Sequence, residues 1–343
     1  MNLPTHSTQH VKKINTELVK QTLRTHDTGT KASIARLTGL SVATCGTILN
    51  ELVQTGEIID LGTDESSGGR PANRYRFNAN YACMICMIVR TEGGVHTITC
   101  AVANLNGELM EHTIHPVQQI DVPMMEQLLD GLMDTYTHVR AIGIGIPGVA
   151  RGDQIGICDV PQLADQPLAR LWKERYEGVE ILLENDMNLT VYGLYQQLQL
   201  EQDRNFAIVT FPRHHYPGAG FIVNGQPMNG NSYFSGEISY LPYGVSREQQ
   251  LEMLQSPDQA RGLIIQSLIS IIAIINPVQI VITGDSITTE MLSELDAGCR
   301  AIIPDEHMPT LLIQNDTRAE YLSGLITATL ERLTYHIQLI ERR

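Results

Sequence analysis

Between residues 14 and 53 apolar side chains recur every three or four positions in three successive blocks, a spacing that predicts three short helices. Ile14, Leu18, Val19 and Leu23 form the stripe of the first, Ile34, Ala35 and Leu37 that of the second, and Ile48, Leu49, Leu52 and Val53 that of the third. Thr30 is placed to cap the start of the second helix, and Gly39 to end it in a left-handed conformation. Ser41 then caps the third, which stops at Gly56. After it the pattern changes: Glu57–Asp60 and Asn73–Phe77 read as two strands around Ser66-Ser67-Gly68-Gly69-Arg70-Pro71, the tip of a hairpin.

From Met84 onward strands alternate with helices, and the order occurs twice. Strands near 84–90, 95–103 and 108–114, with a turn at Asn106-Gly107, lead to a helix at 122–137. An apolar strand then runs into Gly145-Ile146-Pro147-Gly148, followed by a helix at 167–177 and a strand at 179–184. The second pass has strands near 205–211 and 219–223 and a turn at Asn224-Gly225. A long helix at 258–275 ends before Pro277, and strands follow at Gln279–Thr283 and Leu311–Gln314. A last helix is expected at 318–341.

Two β-β-β-α-β-α-β units in tandem describe an α/β fold of the duplicated actin-like, ribonuclease H-like kind, with ligands in the cleft between lobes. The expected organisation is a polar, frayed tail at 1–11, a winged helix-turn-helix at 12–79, and a body at 80–343. Within the body the lobes fall at about 80–190, joined by the last helix, and about 191–317.

A net charge of −14 argues against nucleic acid only as an average. Residues 1–80 hold nine Lys/Arg against seven Asp/Glu, a balance of +2, and the rest holds fifteen against thirty-one, a balance of −16. A basic head on an acidic body suits a protein whose head alone reads DNA. On the third helix the outward positions are small or polar, so Ser41, Thr44, Thr47 and Asn50 can reach a major groove, with Lys31 and Arg74 at its margins. Gly69 and Arg70 at the hairpin tip suit a narrow minor groove. A plain three-helix packing unit would share the helical pattern, although not the wing.

Other classes fall away. No apolar run is long enough to span a membrane, Leu263–Ile275 being broken by Gln266, Ser267 and Ser270. The chain opens without a basic, apolar, cleavable leader, so the expected location is the cytoplasm, with no membrane partner. Cys83-x-x-Cys86 lacks the second pair or the histidines that a zinc site needs, so no metal is expected.

With Ser66–Pro71, Gly143–Gly148 and Glu184-Asn185-Asp186 together, residues 12–335 resemble the ROK family of repressors and sugar kinases, its repressor subgroup above all. The resemblance implies that Asn185 binds sugar and that Asp186 matches the base that deprotonates a sugar hydroxyl. It further implies that Glu237 accepts from sugar hydroxyls, that Tyr240 stands for a histidine, and that Asp159 stands for an asparagine. Equally, these carboxylates can be inherited groups satisfied by backbone donors.

The departures bear on catalysis. The first phosphate loop, D-x-G-G-T in kinases of the family, reads Thr91-Glu92-Gly93-Gly94-Val95, so its acid is gone. The second reads His214-His215-Tyr216-Pro217-Gly218-Ala219-Gly220, with a proline and bulky residues where amides should cradle phosphate. The adenosine-side Gly-Gly is Gly284-Asp285, and the cysteine-rich zinc segment is missing.

The resemblance therefore implies a transcriptional regulator of carbohydrate metabolism without kinase activity, metal or cofactor. Its expected partners are a palindromic double-stranded operator, a sugar or sugar-phosphate effector, and further copies of itself in a homodimer or homotetramer. An active ATP-dependent sugar kinase carrying a DNA-binding head is the alternative, and Asp186 is what favours it.

Overall fold

The computed structural model describes residues 8–63, 72–198 and 204–334. The chain divides into two compact units: Met1–Cys83 with Asn104–Glu108 and the C-terminal residues from Thr334, and Met84–Ala103 with Leu109–Leu333. The predicted boundary at residue 79 therefore shifts by a few positions, and the Asn106-Gly107 turn joins the first unit. It does so because Leu105 N–H donates to Ala79 O at 3.0 Å and Asn104 Nδ2 to Asn80 Oδ1 at 2.9 Å.

The first unit contains α1 (Thr8–His26), β1 (Thr28–Thr30), α2 (Lys31–Thr38), α3 (Val42–Thr55), β2 (Ile58–Thr63) and β3 (Asn73–Phe77). Helix α1 begins at Thr8, inside the stretch expected as a frayed tail. Thr30 and Ser33 form a reciprocal capping box on α2, Gly39 closes that helix at φ 72°, and the Ser41 hydroxyl accepts from Thr44 N–H at 3.0 Å to start α3. Across this turn the two helix axes bend by 115°, the angle of a helix-turn-helix. Val19, Leu23, Ile34, Ile48, Leu49, Leu52, Ile58 and Tyr75 form the core beneath. Strand β1 has no counterpart in the sequence reading: Thr-Gly-Thr carries no alternation, and pairing with Arg74–Arg76 of β3 makes it a strand. The order β1-β3-β2 gives a three-stranded sheet whose hairpin tip, Ser66–Pro71, lies outside the described residues.

The second unit holds two lobes. The first comprises β4 (Cys83–Glu92), β5 (Val95–Asn104), β6 (Leu109–Val117), α4 (Val122–Thr135), β7 (Val139–Ile146), a hairpin of β8 (Gly148–Arg151) and β9 (Gln154–Cys158), α5 (Leu168–Arg175) and β10 (Glu180–Asn185). Helix α6 (Asp186–Gln197) leads out of it. The second comprises β11 (Phe206–Thr210), β12 (Gly218–Val223), β13 (Gln226–Pro227), α7 (Arg247–Met253), α8 (Pro257–Ile275), β14 (Gln279–Thr283), α9 (Leu292–Arg300) and β15 (Thr310–Ile313). Helix α10, described over Arg318–Thr334, returns to pack with α6 and the first lobe's core; the rest of the predicted 318–341 helix lies outside the described residues.

Both five-stranded sheets have the same topology, β10-β7-β4-β5-β6 and β13-β12-β11-β14-β15. With the first strand of each lobe at the centre, its antiparallel partners lie to one side and the parallel strands to the other. The repeat seen in sequence is thus a repeat in space, and the fold is the two-lobed actin-like one. The predicted lobe boundary at 190 falls inside α6, because that helix is itself the connection. Helix α8, long and apolar enough to cross a membrane by composition, is a core helix here, burying Leu263, Ile264, Leu268, Ile271 and Ile272.

Helices α6 and α10 cross at glycines. A Cβ on Gly193 would lie 2.0 Å from Glu320 O, and one on Gly324 would lie 1.9 Å from Leu189 O, so only hydrogen permits this approach. The two connections between the lobes therefore meet backbone to backbone.

Candidate functional site

Two surfaces carry the predicted residues. In the first unit α3 presents Ser41, Thr47 and Asn50 as exposed residues and Thr44 as a half-buried one. Lys31 reaches across from α2: its Nζ donates to Asn50 Oδ1 at 3.3 Å, stands 5.7 Å from the Tyr75 ring centroid, and its stem covers Gly46. Ser41 and Thr44 are joined by their hydroxyls at 2.8 Å, so both serve the cap as well as the surface. Arg74 is half-buried and donates to Thr28 Oγ1 at 2.6 Å, which ties it to β1. The sequence reading passed over Arg36 and Arg76, which are exposed. Gly69 and Arg70 lie outside the described residues.

In the second unit the predicted effector residues converge where β9, β10 and the start of α6 face the second lobe. Asn185 serves the fold. Its Oδ1 caps α6 by accepting from Asn188 N–H at 3.0 Å, and its Nδ2 donates to Gly148 O at 2.9 Å and to Asp186 Oδ1 at 3.1 Å. Asp186 also accepts from Met187 N–H at 2.8 Å. Burial, and then the charge of Asp159, push its carboxyl up to about 7, against the pull of the Met187 amide and Arg90. Burial and the same neighbour raise Glu237, which Arg247 lowers. Burial likewise raises Asp159, which His215 and Arg247 lower. Three carboxyl groups thus act on one another across the cleft.

Three residues that the sequence reading did not select complete the cluster. His215 Nδ1 stands 3.3 Å from Asp159 Oδ2, a contact from the second lobe to the first. Arg247 lies between two rings, its guanidinium carbon 3.7 Å from the Tyr216 centroid and 4.2 Å from that of Tyr240. It donates to the Tyr240 hydroxyl at 2.9 Å and the Ser239 hydroxyl at 3.3 Å, while its Nε is buried without a partner among the described residues. Tyr240 packs in turn on Phe234 at 5.0 Å between centroids, and Tyr233, Phe234 and Tyr240 all stay exposed. Carboxylates that accept hydroxyl protons, beside exposed aromatic faces, suit a polyol. No motif links Arg247 to Asp159 in sequence; folding alone brings them together.

The phosphate turns are organised differently from the sequence expectation. Thr91, Gly93 and Gly94 lie at the β4–β5 turn, where both glycines adopt positive φ with open space around them. Glu92 is paired with Arg90, so its charge is balanced. Gly218 and Gly220 lie in β12, not in a loop. A Cβ on Gly220 would stand 2.3 Å from Met187 O, so this glycine exists to let α6 approach the strand. Within the β11–β12 turn Arg213 N–H donates to the Asp285 carboxylate at 2.7 Å, and Gln255 donates to Arg213 O. Within that turn one amide is thus taken by a carboxylate, and Pro217 has none to offer.

Burial pushes the Cys83 thiol up to about 11 and that of Cys86 to about 12, away from the thiolate a metal requires. Among the described residues no group of three His, Cys, Asp or Glu side chains is placed to hold a metal ion.

Residues 89–251 match the model of the ROK family. The xylose repressor of Bacillus subtilis (strain 168) is 25% identical over 242 residues, covering 67% of this chain and 61% of that protein. The xylose repressor of Bacillus spizizenii is 23% identical over 240 residues, again covering 67% and 61%, so the matched part spans less than two thirds of either relative. Among solved structures, a ROK family transcriptional regulator described as a homologue of the E. coli MLC protein superposes with a TM-score of 0.66 at 18% identity, over 94% of this chain and 97% of that one. A ROK hexokinase from Thermus thermophilus superposes at 0.54 with 20% identity, over 73% and 98%. The regulator thus shares its fold with nearly the whole chain, and the kinase with about the extent of the two lobes.

Proposed function

Because residues 89–251 form a ROK family domain, we propose that this chain is a sequence-specific DNA-binding repressor of carbohydrate metabolism whose kinase-like body senses a sugar and no longer transfers phosphate. One observation carries the separation from the kinases: the Asp285 carboxylate, accepting from Arg213 N–H at 2.7 Å, occupies the turn that a phosphate would need. Phosphoryl transfer depends almost wholly on positioning and charge stabilisation, so a carboxylate at that turn opposes it twice, by taking a donor and by adding negative charge.

The relatives named xylose repressor support the regulatory reading and make a neutral pentose the first effector to test. In this account Asp159, Asp186 and Glu237 accept from sugar hydroxyls, the Arg247 donors meet a sugar oxygen, and the exposed faces of Tyr240 and Phe234 pack on the ring. Two copies place α3 of each head in successive major grooves of a palindromic operator, with half-sites about one or two helical turns apart. Sugar binding separates the His215–Asp159 contact or rebuilds it around the ligand, and the heads change affinity for DNA only if the sugar binds the two states unequally.

Asp186 favours a second reading, an active sugar kinase, since a carboxyl near 7 suits a general base. A coupled ADP-release assay over a panel of pentoses and hexoses separates the two. The regulator predicts ADP release no faster than without sugar, and sugar-dependent turnover overturns it.

A further inference from the structure

Within the proposed sugar sensor, on which this rests, we propose that the effector is a saccharide of two or more rings. Its first ring is held among the cleft carboxylates, and its second lies on the exposed aromatic surface formed by Tyr233 and Phe234.

The cleft does not end at its carboxylates. Tyr240 N–H donates to Glu237 O at 3.1 Å, so a single turn carries a carboxyl for sugar hydroxyls and an aromatic ring close by. From that ring planar groups continue in contact both ways. Toward the first lobe, Arg247 lies between Tyr240 and Tyr216, and Tyr216 follows His215, which meets Asp159. On the other side Phe234 lies 5.0 Å from Tyr240 between centroids, with the ring planes 59° apart, and Tyr233 precedes it.

Tyr233, Phe234 and Tyr240 are each more than a third exposed. Contiguous exposed apolar surface of this kind marks a binding site. A sugar ring and an aromatic ring have about the same area, so a monosaccharide beside Glu237 covers Tyr240 and the near edge of Phe234. Tyr233 and the rest of Phe234 then stay bare, and a second sugar ring fills that place.

The segment that carries them is set in advance. Tyr233 is held at φ 60°, in the left-handed region that residues with a Cβ seldom adopt, between Gly230 at 70° and Gly236 at 95°. Both ends are pinned: Asn188 Nδ2 of α6 donates to Asn229 Oδ1 at 3.0 Å, and Ala219 N–H donates to Gly236 O at 2.8 Å. Strain held fixed by its surroundings is a feature of ligand clamps, and a loop already in shape loses little freedom when a ligand arrives.

The chemistry of the surface favours a carbohydrate over a protein. Protein interfaces exclude charge from their centre, whereas here a guanidinium stands among the rings and donates to the Tyr240 hydroxyl at 2.9 Å. The row also runs directly into a cleft of carboxyl groups. Saccharides offer C–H faces to the rings and hydroxyl edges to the polar groups, and so match both.

Calorimetric titration of the full chain with xylose against xylobiose, and with glucose against cellobiose and maltose, tests the second ring's site. At least one disaccharide is expected to bind about tenfold or more tightly than its monosaccharide. Tyr233→Gly removes a ring while keeping the left-handed backbone, so it is expected to melt no lower than the wild type and to reduce that ratio several-fold. Phe234→Ala is expected to reduce it too. Disaccharides that bind no more tightly than their monosaccharides, or a ratio unchanged in both variants, overturn the second ring's site and leave the sugar sensor standing. A chain that binds none of these sugars overturns both.

Discussion

Asp186 occupies the first turn of α6, where a helix dipole favours negative charge, yet burial and Asp159 hold its carboxyl up near 7. The folded chain therefore keeps a proton that the unfolded chain releases near 3.8. The stabilisation from that proton is complete below pH 3.8 and is lost as pH rises toward and through 7. Asp186→Asn is expected to melt with the wild type below pH 3.8, and to melt above the wild type by a margin that grows from pH 5 to pH 8; a margin that does not change with pH would contradict the assigned environment. At the surface proposed to face DNA, Lys31→Ala is expected to weaken binding evenly across sequences, and Asn50→Ala to relax base preference by about 1–3 kcal/mol at one position, measured by duplex competition. Asp159, Asp186 and Glu237 were legible because each sits in a short motif. Arg247, His215 and Tyr216 were not, since an arginine between two rings is made by tertiary packing and leaves no local spacing. Asn185 also caps α6, a second role for an asparagine that stands just before a helix.

Elements with their own start and stop signals were legible nearly to the residue. Thr30, Ser41, Gly39 and Gly56 delimit α2 and α3 as capping chemistry requires, and the asparagine-glycine pairs mark both hairpins of the body. Ser41→Ala is expected to cost about 1 kcal/mol in urea unfolding through loss of the Thr44 cap. Elements that exist only by pairing escaped the pattern, namely β1, held by β3, and the β8–β9 hairpin. The crossing of α6 and α10 escaped too, because a glycine within a helix reads as a weak helix former until its neighbour is known. Gly324→Ala places a methyl group against Leu189 O and is expected to destabilise the chain by about 3 kcal/mol, against little for Gly262→Ala, whose surroundings are open. Equal effects of the two substitutions would mean that the helices do not meet there.

The duplication was legible at the scale of the whole molecule because each lobe repeats one order of strands and helices, and the charge split was legible by counting. What the sequence could not supply was the meeting of distant groups across the cleft, on which a sensor depends. A sugar-sensing repressor must both select a DNA sequence and release it for a sugar. The most direct measurement is selection from a random duplex library by the full chain, repeated with xylose and other neutral sugars present. A two-fold symmetric site enriched without sugar, and lost with one of them, is the predicted result. A library that stays random under both conditions would contradict it.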